Sequence, residues 1–156
     1  HLSIRRQRQM CIRDSEWDLT EASDEERKLL ASWISYYKEK RALLHSGRTV
    51  RAEHAEPNAY VHGVVAQDKS EAVFMLAQLR PSQFSRPANI RLTGLDPEAT
   101  YEVKVVEPAG AAVSMQIKPP SWYSGVRLTG AALSSFGLRS PVLRPEQALL
   151  IEAKRL

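Results

Sequence analysis

The strongest constraint on the fold is a change of pattern at Gly47. Before it, apolar residues recur every three or four positions, which predicts one long amphipathic helix; they are Leu29, Leu30, Trp33, Ile34, Tyr37 and Leu44. After Gly47, short extended runs alternate with turns, which predicts β-strands. The order of these patterns indicates a mainly β protein with one long N-terminal α-helix.

Both ends of this helix carry recognisable end signals. Ser23 and Glu26 have the spacing of a capping box, in which each side chain accepts from the other residue's amide. Gly47 stands where a C-terminal glycine ends a helix. The apolar stripe contains Trp33 and therefore needs another surface to cover it.

Seven extended runs follow the helix, at residues 48–53, 60–66, 71–79, 89–92, 100–106, 113–117 and 148–153. Their number and the turns between them predict an antiparallel β-sandwich over residues 48–156. The clearest hairpin covers residues 60–79. Residues 128–143 are ambiguous, because residues 129–133 fit a helical turn or a loop, and two prolines keep the following stretch irregular.

The length and charge of the chain limit its function. A chain of 156 residues is long enough for one core, but a TIM barrel needs roughly 250 residues. The net charge is +4, of which +3 lies in residues 1–15, where four arginines face one aspartate, leaving +1 for the remainder. We therefore predict no nucleic-acid partner, since that requires a clustered basic face.

The single cysteine, Cys11, cannot form a disulfide framework or a cysteine-based metal site within the chain. No apolar run reaches the roughly 18 residues that span a bilayer, and the first ten residues lack the apolar core of a signal peptide. We predict a cytoplasmic location, no membrane partner and no cofactor.

The run from Leu92 to Val103 contains a second structural signal. Asp96 and Pro97 set a turn between two anchoring residues, Leu95 and Tyr101. The spacing predicts a tyrosine corner, in which the Tyr101 hydroxyl bonds to upstream backbone. This motif reports fold and carries no activity.

Three pieces in this order resemble the end of bacterial alpha-galactosidases of glycoside hydrolase family 36. Residues 16–47 look like the last strand and helix of the catalytic TIM barrel in that family. The Gly94-Leu95-Asp96-Pro97 run with Tyr101, and then residues 123–133 and 141–148, resemble its closing β-sandwich. The resemblance covers residues 16–156. It implies a C-terminal fragment whose partner is the missing barrel of its own parent chain, with self-association left open.

The family hydrolyses terminal alpha-linked galactose with retention, using two aspartates on earlier barrel strands. The resemblance therefore places both catalytic residues and the sugar-binding elements upstream of this chain. We assign no catalytic, substrate-binding or metal-binding residue here. The fragment is predicted to be inactive alone, and an alpha-galactoside is expected as the substrate of the full enzyme.

The candidate site residues are acidic, aromatic and histidine side chains. Glu16 and Asp18 would share one face of a strand at a barrel mouth, but packing or capping is the favoured role, and Trp17 is expected to fill space. Trp122 and Tyr123 fit either a sugar platform or the core, and the core is favoured. Three of the four histidines, namely His45, His54 and His62, have no spacing that fits a metal site.

The first fifteen residues and the function of the β-sandwich each allow two interpretations. Residues 4–15 look like translated sequencing-adapter DNA, so residues 1–15 are a foreign arm on this hypothesis and a disordered basic arm on the alternative. The competing function is a stand-alone β-sandwich module, carbohydrate-binding or fibronectin-like. In that case Leu29, Trp33 and Tyr37 would dock on the same sandwich.

Overall fold

The computed structural model describes residues 19–52, 54–106, 115 and 118–156. Helix α1 is Asp24–Ser46, and strands β1, β2, β3 and β4 are Arg48–Ala52, Ala59–Val65, Glu71–Gln78 and Thr100–Val105. A 3₁₀ helix, Ser121–Ser124, precedes β5, Val126–Thr129; helix α2, Gly130–Ser135, and strand β6, Gln147–Arg155, complete the fold. The expectation of a mainly β, antiparallel protein with one long N-terminal helix is confirmed.

The strands of the described residues form one six-stranded sheet in the order β1-β2-β3-β6-β4-β5. All neighbours are antiparallel, and the last strand lies between β3 and β4. The long β3–β6 ladder runs from Glu71↔Lys154 to Gln78↔Gln147. The C-terminal strand therefore holds the two halves of the sheet together.

Alternation along the strands puts one face of the sheet in the core. In β4, Tyr101, Val103 and Val105 are buried while the residues between them are exposed. The neighbouring strands supply the rest of this inner face: Val61, Val65, Ala72, Phe74, Leu76, Leu149, Ile151 and Ala153.

The second layer of the core consists of irregular segments. Ile90, Leu92, Leu95, Leu138 and Leu143 are buried and pack against the inner face of the sheet. The strand predicted at residues 89–92 is corrected here, because it makes a single isolated bridge, Ile90↔Leu138. The Leu92 amide donates to the carbonyl of Leu133 in helix α2 instead of to a strand, so the Ile90↔Leu138 bridge does not extend into a ladder.

The ambiguous segment beginning at residue 128 resolves into the end of β5 and the short helix α2. Thr129 caps α2, since its side chain accepts from the amide of Ala132. Strand β5 was not predicted, because four residues with a weak burial alternation give little signal on their own. Its pairing with β4 supplies the missing stabilisation.

Helix α1 has the predicted capping box, with Ser23 and Glu26 each bonded to the other's amide. The reason for Gly47 differs from the expected one. Its φ of −73° and ψ of 168° are extended rather than left-handed. A Cβ at this position would lie 2.5 Å from Cγ1 of Val64 and 2.7 Å from the Leu43 carbonyl. Gly47 is therefore required by close approach to β2.

Some predictions fall outside the described residues. They concern the arm of residues 1–15, the strand end at residues 16–18 and all of the predicted strand at 113–117 except Met115. Among the described helices, none has the length and apolar character needed to cross a membrane.

Candidate functional site

The apolar stripe of α1 is left largely uncovered. Leu29, Ile34 and Tyr37 keep 43%, 43% and 45% of their surface exposed. Such a row of large apolar side chains at helical spacing marks a contact surface rather than a solvated helix face. We call this row, Leu29, Trp33, Ile34 and Tyr37, the helix stripe.

A neighbouring side of the same helix rests on the outer face of the sheet. Leu43 is buried there, at 5% exposure, and Lys40 and Tyr36 lie one and two turns before it, respectively. At about 100° per residue, Tyr36 and Leu43 point roughly 85° to 105° around the helix axis from the centre of the helix stripe, and Lys40 lies at the edge of the stripe. The Trp33 and Tyr36 rings bridge the two sides with an edge-to-face contact at 6.2 Å. One face of α1 is therefore anchored while the next faces outward.

A polar cluster fixes this anchoring. The Lys40 ammonium lies 3.1 Å from Glu71 of β3 and 3.2 Å from Glu152 of β6. Its side chain is only 13% exposed. Burial acts to lower the pKa of Lys40, but the hydrogen bonds and charges of Glu71 and Glu152 outweigh it, so the net shift is upward.

Tyr36 completes the cluster. Burial is the main cause that raises the pKa of its hydroxyl, and the negative charge of Glu152 adds to it. The sequence did not predict this cluster, because Lys40, Glu71 and Glu152 lie on three separate elements. Glu152 alternates with the buried residues of β6 as an ordinary outer-face residue does, so the strand pattern gave no signal of a cation beside it.

The tyrosine corner is present as expected. The Tyr101 hydroxyl donates to the Lys69 carbonyl at 2.8 Å and accepts from the Asp96 amide at 3.0 Å. The side chain is fully buried. These two bonds join the turn after β2 to the turn before β4, which is a structural role.

The aromatic pair Trp122 and Tyr123 belongs to the core. Trp122 is 6% exposed, and its indole Nε1 donates to the Arg139 carbonyl at 2.8 Å. Tyr123 packs edge-on against it at 5.0 Å. A ring buried in this way offers no open face to a sugar, so the core interpretation is the one the geometry supports.

The three candidate histidines lie on different elements. His45 bonds to the Tyr37 hydroxyl at 2.9 Å at the end of α1, and His62 is exposed on β2. His54 accepts from the Glu56 amide through Nδ1 and bonds to the Ala88 carbonyl through Nε2. Over the residues with described positions, no three histidine, cysteine or acidic side chains form a metal-sized group. Glu16, Trp17 and Asp18 lie outside these residues.

Sequence reasoning did not identify the buried carboxylate of Glu56. It is 0% exposed and accepts from the Ser82 hydroxyl at 2.6 Å and the Gln83 amide at 3.0 Å. These bonds hold the loop after β1 against the loop after β3. Glu56 lies between the predicted strands at 48–53 and 60–66, and nothing in the sequence pattern there indicated that it would be buried.

Residues 59–151 match the family model described as glycosyl hydrolase family 36 C-terminal domain. An alpha-galactosidase of Escherichia coli is 33% identical over 125 residues, which cover 76% of this chain and 18% of that protein.

Solved structures share the fold. An alpha-galactosidase from Lactobacillus brevis superposes with a TM-score of 0.70 at 19% identity, covering 90% of this chain and 18% of its own. The family 36 alpha-galactosidase AgaA from Geobacillus stearothermophilus gives 0.69 at 21% identity, covering 90% and 17%. The chain thus spans less than a fifth of the length of each of these relatives.

Proposed function

Since this chain belongs to glycoside hydrolase family 36 and matches its C-terminal domain, we propose that it supports the catalytic barrel of an alpha-galactosidase. The parent enzyme would hydrolyse terminal alpha-galactosides with retention. Residues 16–47 would be the last strand and helix of that barrel, and residues 48–156 the domain that closes the chain.

The exposed helix stripe is the observation that carries this proposal. Leu29, Ile34 and Tyr37 stay more than two-fifths exposed although a complete β-sheet lies beside the helix. A surface of this kind is stabilised by burial against other apolar side chains, at about 25 cal/mol per Å². The barrel of the parent enzyme is the cover that the family provides.

The chain alone should lack activity. Retention requires two carboxylates about 5 Å apart, one acting as nucleophile and the other as acid and base. Glu71 and Glu152 both lie close to one ammonium, that of Lys40, and therefore close to each other. Both carboxylates pair with the Lys40 ammonium beneath α1, so they are suited to hold the helix rather than to attack a sugar.

An assay of the purified 156-residue chain with a chromogenic alpha-galactoside tests the inactivity. We expect turnover equal to that of buffer. Turnover that scales with chain concentration and disappears in an E71Q/E152Q variant would contradict the proposal and would assign these carboxylates a catalytic role.

The competing stand-alone module requires the helix stripe to dock on its own sheet, and the exposure of Leu29 and Tyr37 weighs against this. Oligosaccharide titration followed by isothermal calorimetry separates the two functions. A supporting domain should release no saturable heat with galactose, raffinose or stachyose. Saturable heat would favour the binding module.

The DNA upstream of the codon for Glu16 gives the decisive test of the parent enzyme. We expect it to encode a barrel with two aspartates at the ends of earlier strands. An open reading frame that continues into residues 1–15 in independent reads, without such a barrel, would contradict the proposal.

A further inference from the structure

A short two-segment ribbon on the irregular layer carries an unusual set of exposed side chains. Ile90 and Leu138 pair through both amides, with N···O distances of 2.8 Å, and both side chains point into the core. Alternation then turns their neighbours outward, among them Arg91 and Arg139. Arg86 lies in the loop that leads into this ribbon.

Three arginines and one phenylalanine dominate this surface, which we call the ribbon face: Arg86, Arg91, Phe136 and Arg139. All four are exposed, and Phe136 keeps 77% of its surface in contact with solvent. Arg86 and Arg139 line one open cleft, and Arg91 and Phe136 line the adjoining one. Asn89 borders both clefts, so the two lie side by side.

Carboxylates are absent from the described part of the ribbon face. Among the residues with described positions, no acidic one lines either cleft, and none of the three arginines has an ion-pair partner there. Other basic residues, such as Arg127 and Arg155, do have acidic partners. The nearby Glu56 is fully buried and is already bonded to Ser82 and Gln83.

The backbone of the ribbon face is held firmly. The Asn89 amide group donates to the Phe136 carbonyl at 3.0 Å, and the Trp122 indole donates to the Arg139 carbonyl at 2.8 Å. The Nε2 atom of His54 forms a hydrogen bond with the Ala88 carbonyl at 3.2 Å. A surface with fixed backbone loses little entropy on binding, which favours recognition.

We propose that the ribbon face docks an acidic segment of another protein. Carboxylates of that segment pair with the three arginines, for which the guanidinium fork is suited. An apolar side chain of the segment packs on Phe136. Arginine and aromatic residues are enriched in protein interfaces, which favours a protein partner over a free ion.

Fluorescence anisotropy of the full 156-residue chain tests this proposal. The probe is a short fluorescein-labelled peptide of alternating glutamate and leucine, and the comparison peptide has glutamine in place of glutamate. We expect saturable binding of the first peptide, weakened by added salt, and none of the second. Absence of saturable binding, or equal binding of both peptides, overturns the proposal.

Charge-reversal variants locate the surface. We expect R86E/R91E/R139E to weaken binding at least about tenfold, since each exposed pair contributes roughly a factor of two to five. The control K28E/K38E/R41E makes the same change of net charge on the exposed side of α1. An equal loss in the control overturns the proposal, because it would reflect net charge alone.

Milder variants keep the test valid if the triple variant does not fold. F136A and the single changes R86Q, R91Q and R139Q alter exposed side chains, and circular dichroism checks that each variant keeps its fold. We expect each to weaken peptide binding.

Tighter binding of a single-stranded DNA oligonucleotide than of the peptide overturns the choice of a protein partner. Self-association that R86E/R91E/R139E abolishes would instead assign the face to a second copy.

Discussion

Tyr101 shows how one side chain joins distant parts of the chain. Its buried hydroxyl bonds to the backbone at Lys69 and at Asp96. The sequence predicted this bond from the spacing of the turn alone, because the corner is a local motif. The upstream acceptor at Lys69 could not be predicted in the same way, since it depends on the neighbouring hairpin.

The substitution Tyr101→Phe removes the hydroxyl, so the Lys69 carbonyl and the Asp96 amide lose their hydrogen bonds to it. We expect the free energy of unfolding to fall by about 1–3 kcal/mol, the cost of leaving buried polar groups unpaired. Urea denaturation followed by circular dichroism measures this loss. Tyr60→Phe is the matched control, because Tyr60 is 57% exposed and should be unaffected.

Gly47 provides a second prediction at the residue scale. In Gly47→Ala the new Cβ meets Val64 and the backbone carbonyl of Leu43, so the helix end must shift away from β2. We expect a loss of about 1–3 kcal/mol in unfolding free energy. The exposed neighbour Ser46→Ala should change stability by less than about 0.5 kcal/mol, and an equal effect at both sites would contradict this explanation.

Local patterns determine most of the secondary structure. The β2–β3 hairpin was predicted within one residue at each end, because its alternation and its turn lie close together in sequence. The run at 89–92 has the composition of a strand but lacks a partner ladder beyond Ile90↔Leu138. The position of Glu71 and Glu152 beneath Lys40 depends on packing between three elements, which sequence periodicity does not contain.

Lys40→Met tests how α1 is held on the sheet. The change leaves Glu71 and Glu152 close together without their cation. We expect a loss of about 1–3 kcal/mol, below the cost for a fully buried pair because Glu71 keeps 38% of its side chain exposed. Lys28→Met, on the exposed side of the same helix, is the control and should leave the unfolding midpoint unchanged.

The same cluster predicts a loss of stability in alkali. The pKa of Lys40 is raised above 10.5 in the folded chain. The contribution of the charged Lys40 to the free energy of unfolding is therefore complete below the pKa of the unfolded state, and it is lost as the pH rises through the pKa of the folded state. Tyr36 acts in the same direction, since its pKa is also raised from 10.0. Urea midpoints between pH 8 and 11.5 should fall less steeply in Lys40→Met, and parallel curves would refute the assignment.

The molecule has one apolar surface that is covered and one that is exposed. The inner face of the sheet is covered by the irregular layer, whereas the helix stripe remains exposed. The family and the fold class could be predicted from the sequence because three motifs occur in order. The ribbon face could not, since Arg86, Arg91 and Arg139 come together only when two distant loops pair.

The exposed helix stripe should make the isolated chain self-associate. We expect sedimentation velocity to show a mass that rises with concentration, because apolar surface is removed from water on contact. L29E/I34E should suppress the association without loss of stability, as both side chains are more than two-fifths exposed. A31E/A42E adds the same charge on the opposite side of α1 and should still associate.

The passage from α1 to β1 uses a single residue, Gly47, between Ser46 and Arg48. Such a junction has no slack, so the direction of the helix determines the direction of the sheet. One inserted residue would rotate everything beyond it by about 100° around the helix axis. The orientation of the sheet is therefore fixed by the surface that binds α1. We expect insertions in the loops to be tolerated better than insertions at Gly47.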